Sequence, residues 1–368
     1  MDNYILRYYQ EIKNGTTAAG RWVIAVYTFI VKGLEDRLFF YNPKKAERAI
    51  WFIENFAHHS KGKLAPGLLK LELWQKAMLS CIFGIVKENG TRQFREVFIV
   101  IGRKCGKSIL ACAIAEYMAY ADGEYGADIF FLAPKLDQTD IVYNDFWQSV
   151  EKEPELLAIT KSRKTDVYIA ETNTQIKKIA FSQKKSDGFN PHCTVCDEVA
   201  AWQGDAGIKQ YEVMTSALGS REQPLVLAIT TENYINDGIY DDLMKRSTRV
   251  LMGDSRELQL LPFIYQIDDL KKWNDISELR KSLPGLGVSV SVDFMLNEIA
   301  KAEGSLAAKS EFMCKYCDIK QSSSQAWLKS EDIDRAFSGE CLKLEDFTKC
   351  YGGTSRKATA SPPTALSA

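Results

Sequence analysis

Gly106-Lys107-Ser108 opens a predicted helix directly behind the apolar run "EVFIVIG" (Glu96–Gly102). Backbone N–H groups and the positive end of a helix then face the same point, which is the arrangement that holds an anion. In that arrangement Lys107 reaches the β- and γ-phosphates of a nucleoside triphosphate, and the Ser108 hydroxyl ligates Mg2+. The usual loop has a second glycine with four residues between it and Gly106. That place holds Ile101 here, and Gly102 comes one step late. A plain Gly-Lys-Ser helix start is the competing reading of the same three residues.

A second group ends another apolar run. "TVCDE" places Asp197 and Glu198 at the carboxyl end of a strand, the edge at which parallel sheets bind ligands. Asp197 suits a water-mediated hold on Mg2+, and Glu198 suits polarising a water for in-line attack on phosphorus. Two acidic helix caps are the alternative. The run "LVLAITTEN" ends in Thr230 and Thr231, on a strand predicted to lie beside the phosphate-loop strand, where hydroxyls can sense a γ-phosphate. Threonine is also simply common in strands. In "LELWQKAML" the Gln75 amide can both donate to and accept from an adenine edge. Trp74 beside it offers an aromatic face or a core side chain.

The elements that must position these groups are legible from periodicity. Residues 3–83 carry apolar residues at three- and four-residue spacing and read as mainly helical. Continuous apolar runs at Glu96–Gly102, Asp128–Pro134, Cys193–Glu198 and Pro224–Thr231 read as strands buried on both faces. Helical stretches follow Lys107 and Thr139, the segment 166–182 reads as a hairpin turning at Asn173, and Leu258–Asp268 reads as a last strand. Strands alternating with helices give an α/β fold with a mainly parallel sheet flanked by helices. The expected organisation is an N-terminal helical region at 1–85, a P-loop ATPase domain of ASCE type at 86–268 and a C-terminal helical lid or linker at 269–345. Residues 346–368 form a tail.

Of the 368 residues, 46% are hydrophobic and 26% charged, and the net charge is -1, so attraction to nucleic acid requires a local patch. The N-terminus lacks the pattern of a signal peptide, and no apolar run reaches membrane-spanning length, so a cytoplasmic protein with no membrane partner is expected. The nine cysteines include two CxxC pairs, Cys193/Cys196 and Cys314/Cys317. Residues at i and i+3 of a strand point to opposite faces, which favours reduced core cysteines over a zinc site.

Taken in order, these motifs resemble the large terminase subunit of tailed bacteriophages. The resemblance rests on "WQ" before the sheet, the deviant loop "GRKCGKS" and the run "SDGFNPHCTVCDE". It rests also on the Thr-Thr strand followed by "NDGIYDDLMKRS", and on "EFMCKYCDIKQSSSQAWL". It implies an ATP hydrolase that drives double-stranded DNA into a prohead. It further implies ATP and Mg2+ as ligands, a portal protein and a small terminase subunit as partners, and a homo-oligomeric ring on the portal in the host cytoplasm. Site residues implied are Gln75 for adenine, and Gly102, Arg103, Lys104, Cys105, Gly106, Lys107 and Ser108 for the phosphates. Asp197 is implied for Mg2+, Glu198 as catalytic carboxylate, and Thr230 and Thr231 for coupling. Arg103 and Arg163 are candidates for an arginine finger. Glu232-Asn233 departs from the small residues that often follow the Thr pair in the family.

The resemblance also implies a nuclease after the ATPase, and at "YGG" the tail departs from it. No acidic residue occurs from Thr348 to Ala368. Read one nucleotide out of frame, Thr354 and Thr359 permit Asp codons, so 346–368 is expected to be an out-of-frame remnant of a nuclease start, without endonuclease activity. The alternatives are another DNA-dependent P-loop ATPase of helicase type, and a decayed prophage protein that binds nucleotide or DNA without turnover.

Overall fold

The three- and four-residue spacing of the N-terminal region folds into α1 (Tyr4–Lys13), α2 (Arg21–Glu35), α3 (Pro43–Phe56) and α4 (Leu73–Leu79). A two-stranded ribbon of β1 (Phe40–Tyr41) and β2 (Ile85–Val86) interrupts the helices. Asn3 and Asn42 cap α1 and α3 by accepting the backbone N–H three residues on. The computed structural model describes residues 3–180, 188–235 and 237–321. These belong to one compact unit running from Met1 to Ser324. The expectations on 346–368, and on the end of the 269–345 region, lie outside the described residues.

Each predicted strand joins one eight-stranded sheet. Its members are β3 (Glu96–Val100), β4 (Asp128–Ala133), β5 (Thr160–Ser162), β6 (Val167–Ile169), β7 (Thr174–Ala180), β8 (Cys193–Asp197), β9 (Leu225–Thr230) and β10 (Leu260–Ile264). Their order is β10-β3-β9-β8-β4-β7-β6-β5. Six neighbours from β10 to β7 run parallel, and β6 and β5 add an antiparallel edge. Asn173, at positive φ (54°), turns the β6–β7 hairpin where the sequence placed it.

The helices between these strands are α5 (Lys107–Tyr120), α6 (Leu136–Lys152), α7 (Pro154–Ile159), α8 (Gly204–Ser216) and α9 (Ile239–Met252). After β10 come α10 (Ile276–Leu279), α11 (Val292–Glu303) and α12 (Leu306–Lys315). Period-two alternation splits the sheet's side chains into two cores. Val97, Ile99, Ile129, Phe131, Val195 and Leu227 pack with α5, α6 and the N-terminal helices. Phe98, Val100, Phe130, Cys196, Val226 and Ala228 pack with α8 and α9. Burial on both faces is why these strands read as unbroken apolar runs. Cys193 and Cys196 fall on opposite cores, as the strand argument requires. α5 is buried without a break from Leu110 to Ala119, because the sheet lies under it and α3 and α6 lie over it. Its Ala and Cys side chains allow that close approach.

Candidate active site

Strand order brings the motifs together. β9 stands between β3 and β8, and all three run parallel, so their carboxyl ends share one edge. Val100 is level with Thr230, and Ile229 is level with Asp197. The phosphate loop, the Thr pair and the carboxylates therefore meet, although sequence separates them widely.

The loop itself is built in two halves. Its first half is fastened to the C-terminal helical region: Gly102 N–H donates to Ser282 O (3.2 Å) and Arg103 N–H to Lys315 O (2.9 Å). A Cβ on Gly102 would stand 2.5 Å from Leu283 Cδ2 and 3.0 Å from Tyr316 O. Glycine is needed there for that packing. The second half is open. Lys104 and Gly106 take left-handed backbone (φ 73° and 75°), and Gly106 is the N-cap of α5. The first helical bond of α5 runs from Leu110 N–H to Gly106 O. The N–H groups of residues 104–109 have no backbone acceptor among the described residues. Thus Lys104, Cys105, Gly106, Lys107 and Ser108 offer the free donors, whereas those of Gly102 and Arg103 are engaged. The Cys105 side chain is buried, and burial pushes its thiol up to about 12.

Across the loop, Lys107 Nζ lies 2.8 Å from Glu198 Oε1. Glu198 adopts left-handed backbone (φ 51°), so the chain turns sharply after β8 and lifts this carboxylate off the strand. Its N–H donates to Asp197 Oδ1 (2.9 Å), and Trp202 Nε1–H donates to Asp197 O (2.9 Å). Asp197 is 8% exposed. Burial, and then the charge of Glu198, push its carboxyl up to about 7, with the Lys107 ammonium opposing.

Those oxygens fit a magnesium ion. Ser108 supplies a hydroxyl without a protein partner among the described residues, and Asp197 a carboxylate, both hard oxygen donors. No cluster of three or more metal-binding side chains occurs among the described residues. Mg2+ commonly takes one or two carboxylates and completes its shell with phosphate and water.

The Thr pair is fully buried and fully bonded. Thr230 Oγ1 accepts from Ala200 N–H (3.1 Å) and donates to Thr231 O (2.9 Å). Thr231 Oγ1 donates to Ile101 O (3.0 Å), and Ile101 N–H donates to Thr230 O (3.1 Å). These bonds join the turn after Glu198 to the root of the phosphate loop. Gln75 is nearly buried, and its Oε1 accepts Glu72 N–H (2.9 Å) at the start of α4. Trp74 packs edge-on against Tyr265 at 5.6 Å in the core. A cavity of about 360 Å3 opens beside this corner, lined among others by Tyr8, Glu72, Trp74, Arg280 and Pro284. The Arg103 guanidinium is exposed without an ion pair among the described residues. Arg163 sits at the β5–β6 turn, at the far edge of the sheet, over the Tyr168 ring and beside Asp166.

Two acids here were not picked out as site residues from sequence. Glu232 is 7% and Asp318 3% exposed, and Asp318 Oδ1 accepts Glu232 N–H (3.0 Å). Glu232 stood out in the sequence only as a departure from the family pattern. Nothing in the spacing marks Asp318.

The sheet order and the paired Lys107 and Glu198 define an ASCE-type P-loop nucleoside-triphosphatase fold, with β9 inserted between the phosphate-loop strand and the carboxylate strand. Residues 73–249 match the family model described as terminase large subunit, ATPase domain. It is similar to the terminase large subunit of Lactococcus phage SK1, with 24% identity over 315 residues, covering 79% of this chain and 55% of that protein. Similarity to protein YmfN of Escherichia coli (strain K12) is 32% over 146 residues, covering 40% of this chain and 31% of that protein. The chain thus spans between about a third and about half the length of these curated relatives. Among solved structures, the HK97 bacteriophage large terminase aligns with a TM-score of 0.64 at 20% identity, covering 75% of this chain and 55% of that chain. At that identity the likeness speaks to the fold. The family expected from the motifs is the one these comparisons return.

Proposed function

We propose that this chain hydrolyses ATP to drive double-stranded DNA into a prohead, as the motor subunit of a phage or prophage terminase. The observation that carries the reading is the Lys107–Glu198 pair (2.8 Å) at the open half of the phosphate loop. A bound triphosphate offers Lys107 a second anionic partner, and the free N–H groups of 104–109 receive its phosphate oxygens. Glu198, released from Lys107, then orients a water and accepts its proton as the oxygen bonds to the γ-phosphorus, and ADP departs. Magnesium held by Ser108 and Asp197 would neutralise charge on the phosphates. The purine is assigned to the corner at Gln75, next to the cavity bounded by Glu72 and Trp74.

Loss of the γ-phosphate changes the partners of Glu198 and Lys107. The bonds through Thr230 and Thr231 give that change a route between the turn after β8 and the loop. DNA is gripped through phosphate contacts that do not read sequence. A ring of copies on the portal, a small terminase subunit and the bacterial host cytoplasm complete this reading, with the exposed Arg103 as finger candidate. Among the described residues no helix is long and apolar enough to cross a membrane.

The test is hydrolysis of Mg-ATP by the full chain with DNA and portal, beside Glu198→Gln. The proposal expects a loss of about 10²- to 10⁴-fold in the variant. Wild-type turnover no faster than the variant's would overturn it and leave the non-turnover alternative. ATP hydrolysis without packaging of DNA into proheads would favour a helicase-type ATPase.

A further inference from the structure

The segment Cys314–Asp318, at the end of α12, touches the carboxyl ends of three neighbouring strands. Lys315 O takes Arg103 N–H in the phosphate loop after β3 (2.9 Å). Cys317 O takes Ile267 N–H after β10 (3.2 Å). Asp318 Oδ1 takes Glu232 N–H after β9 (3.0 Å), and Cys314 Sγ donates to Glu232 O (3.2 Å). Ser282 Oγ donates to Tyr316 O (2.7 Å), which fixes the segment from behind, while Gly102 N–H meets Ser282 O. Five consecutive residues thus clasp the strand order β10-β3-β9 at the edge where the candidate active site lies.

Within this clasp two side chains reach the end of the coupling strand, Cys314 at Glu232 O and Asp318 at Glu232 N–H, and Asp318 is the carboxylic acid of the two. It adopts left-handed backbone (φ 53°), where Asp and Asn are among the few non-glycine residues found with any frequency. It is 3% exposed, and its second oxygen, Oδ2, is buried without a hydrogen-bond partner. A carboxyl group buried with one oxygen unused is costly unless a requirement holds it there. Burial holds its carboxyl well above the ordinary range.

We propose that Asp318 is a positioning residue for ATP hydrolysis: it fastens Cys314–Asp318 to the end of the Thr230–Thr231 strand, so that this strand and the phosphate loop move as one body. The inference rests on the ATPase reading above. Asp318 is assigned no contact with nucleotide or with the attacking water. It acts through Glu232 N–H and the shared segment. Removing it leaves the phosphate donors of 104–109 and the Thr231–Ile101 bond in place, and frees the strand end at Glu232 from the segment that holds Arg103 N–H. The loss then falls on turnover and spares nucleotide binding.

The experiment compares the full chain with Asp318→Gly and Asp318→Asn. Glycine accepts the left-handed backbone and so removes the carboxyl group without adding strain. Asparagine keeps an oxygen for Glu232 N–H. Readouts are kcat and KM for Mg-ATP with DNA, the Kd for Mg-ATPγS by calorimetry, and hydrogen exchange of the Glu232 amide. The proposal expects Asp318→Gly to lose at least about tenfold in kcat, with Kd within about threefold of wild type and faster exchange at Glu232. Asp318→Asn should restore kcat and protection to within about threefold. Unchanged kcat in the glycine variant would overturn it, and so would an asparagine variant as impaired as glycine. Parallel loss of kcat and nucleotide affinity would overturn it as well, since that marks a general structural role.

Should the glycine variant fail to fold, Ser282→Ala decides. It removes the bond to Tyr316 O, and a fall in kcat at unchanged Kd is expected, while unchanged kcat refutes the clasp. An inactive wild type, with Mg-ATP turnover equal to Glu198→Gln, would sink the ATPase reading itself. Activity in the wild type with no effect at Asp318 or Ser282 would sink this inference alone.

Discussion

Lys107 and Glu198 are held together at 2.8 Å, so the side chain expected to meet phosphate and the one expected to activate water neutralise each other before nucleotide arrives. Their side chains are 14% and 33% exposed. The pair is only partly exposed; solvent-exposed pairs contribute about 0.2–1 kcal/mol, and a triphosphate, with several anionic oxygens, can displace it. Glu198→Gln is therefore expected to bind Mg-ATPγS somewhat more tightly, by at most about fivefold, the equivalent of about 1 kcal/mol. Calorimetric titration of wild type and variant measures it. Weaker binding by the variant would mean that Glu198 helps to hold nucleotide.

Asp197 is expected to matter to nucleotide binding only when magnesium is present. Wild type should bind ATPγS more tightly with Mg2+ than with EDTA, and Asp197→Asn should lose most of that difference while keeping its metal-free affinity. Calorimetry under both conditions decides it. An Asn variant with an undiminished Mg2+ effect would remove Asp197 from the metal site.

Gly102 should tolerate no side chain. The Cβ of Gly102→Ala meets Leu283 Cδ2 at 2.5 Å and Tyr316 O at 3.0 Å, and the backbone atom cannot swing away as a side chain could. Overpacking of this kind costs about 1–3 kcal/mol. The urea midpoint should fall without a change in slope, which marks a change in stability and not in the surface exposed. A variant as stable as wild type would show that the C-terminal region yields easily here.

Glu232 should make stability fall as pH rises. Burial pushes its carboxyl up to about 7 from 4.5, with Tyr240 O–H, Asn233 N–H and Lys320 opposing and Asp241 adding to the rise. Asp318 and Cys314 are the other titratable groups against it. Between pH 4.5 and about 7 the folded chain holds a proton that the unfolded chain has released. The contribution is therefore complete below pH 4.5 and lost as pH climbs through about 7. Glu232→Gln removes this dependence, so wild type should lose ground against the variant across that window. Thermal midpoints of both at pH 5 and pH 8 test it. Parallel pH curves would show that Glu232 is ionised throughout.

Local order was strong enough in this chain for the sequence to specify most elements. Continuous apolar runs gave β3, β4, β8 and β9 because a strand buried on both faces admits no polar alternation. Gly-Lys-Ser behind the first run and Asp-Glu at the end of another marked the candidate site, since the carboxyl edge of a parallel sheet collects whatever its strands end in. The helix α6 begins at Leu136, three residues before the apolar spacing suggested. Its first turn follows Lys135 and contains Asp137, polar residues that carry no periodic signal.

Only the tertiary structure decided what these groups do to one another. Sequence predicted β9 beside β3, but not that Glu198 would turn back onto Lys107, because a left-handed non-glycine residue leaves no mark on spacing. Gly102 read as a misplaced phosphate-loop glycine, and folding shows it making room for Leu283 and Tyr316. Glu232 and Asp318 are separated by 86 positions and meet at one hydrogen bond. Periodicity and motif report what a residue's neighbours in the chain require of it. Contacts made across such distances depend on where the sheet ends and what is packed over it, and no local pattern encodes that.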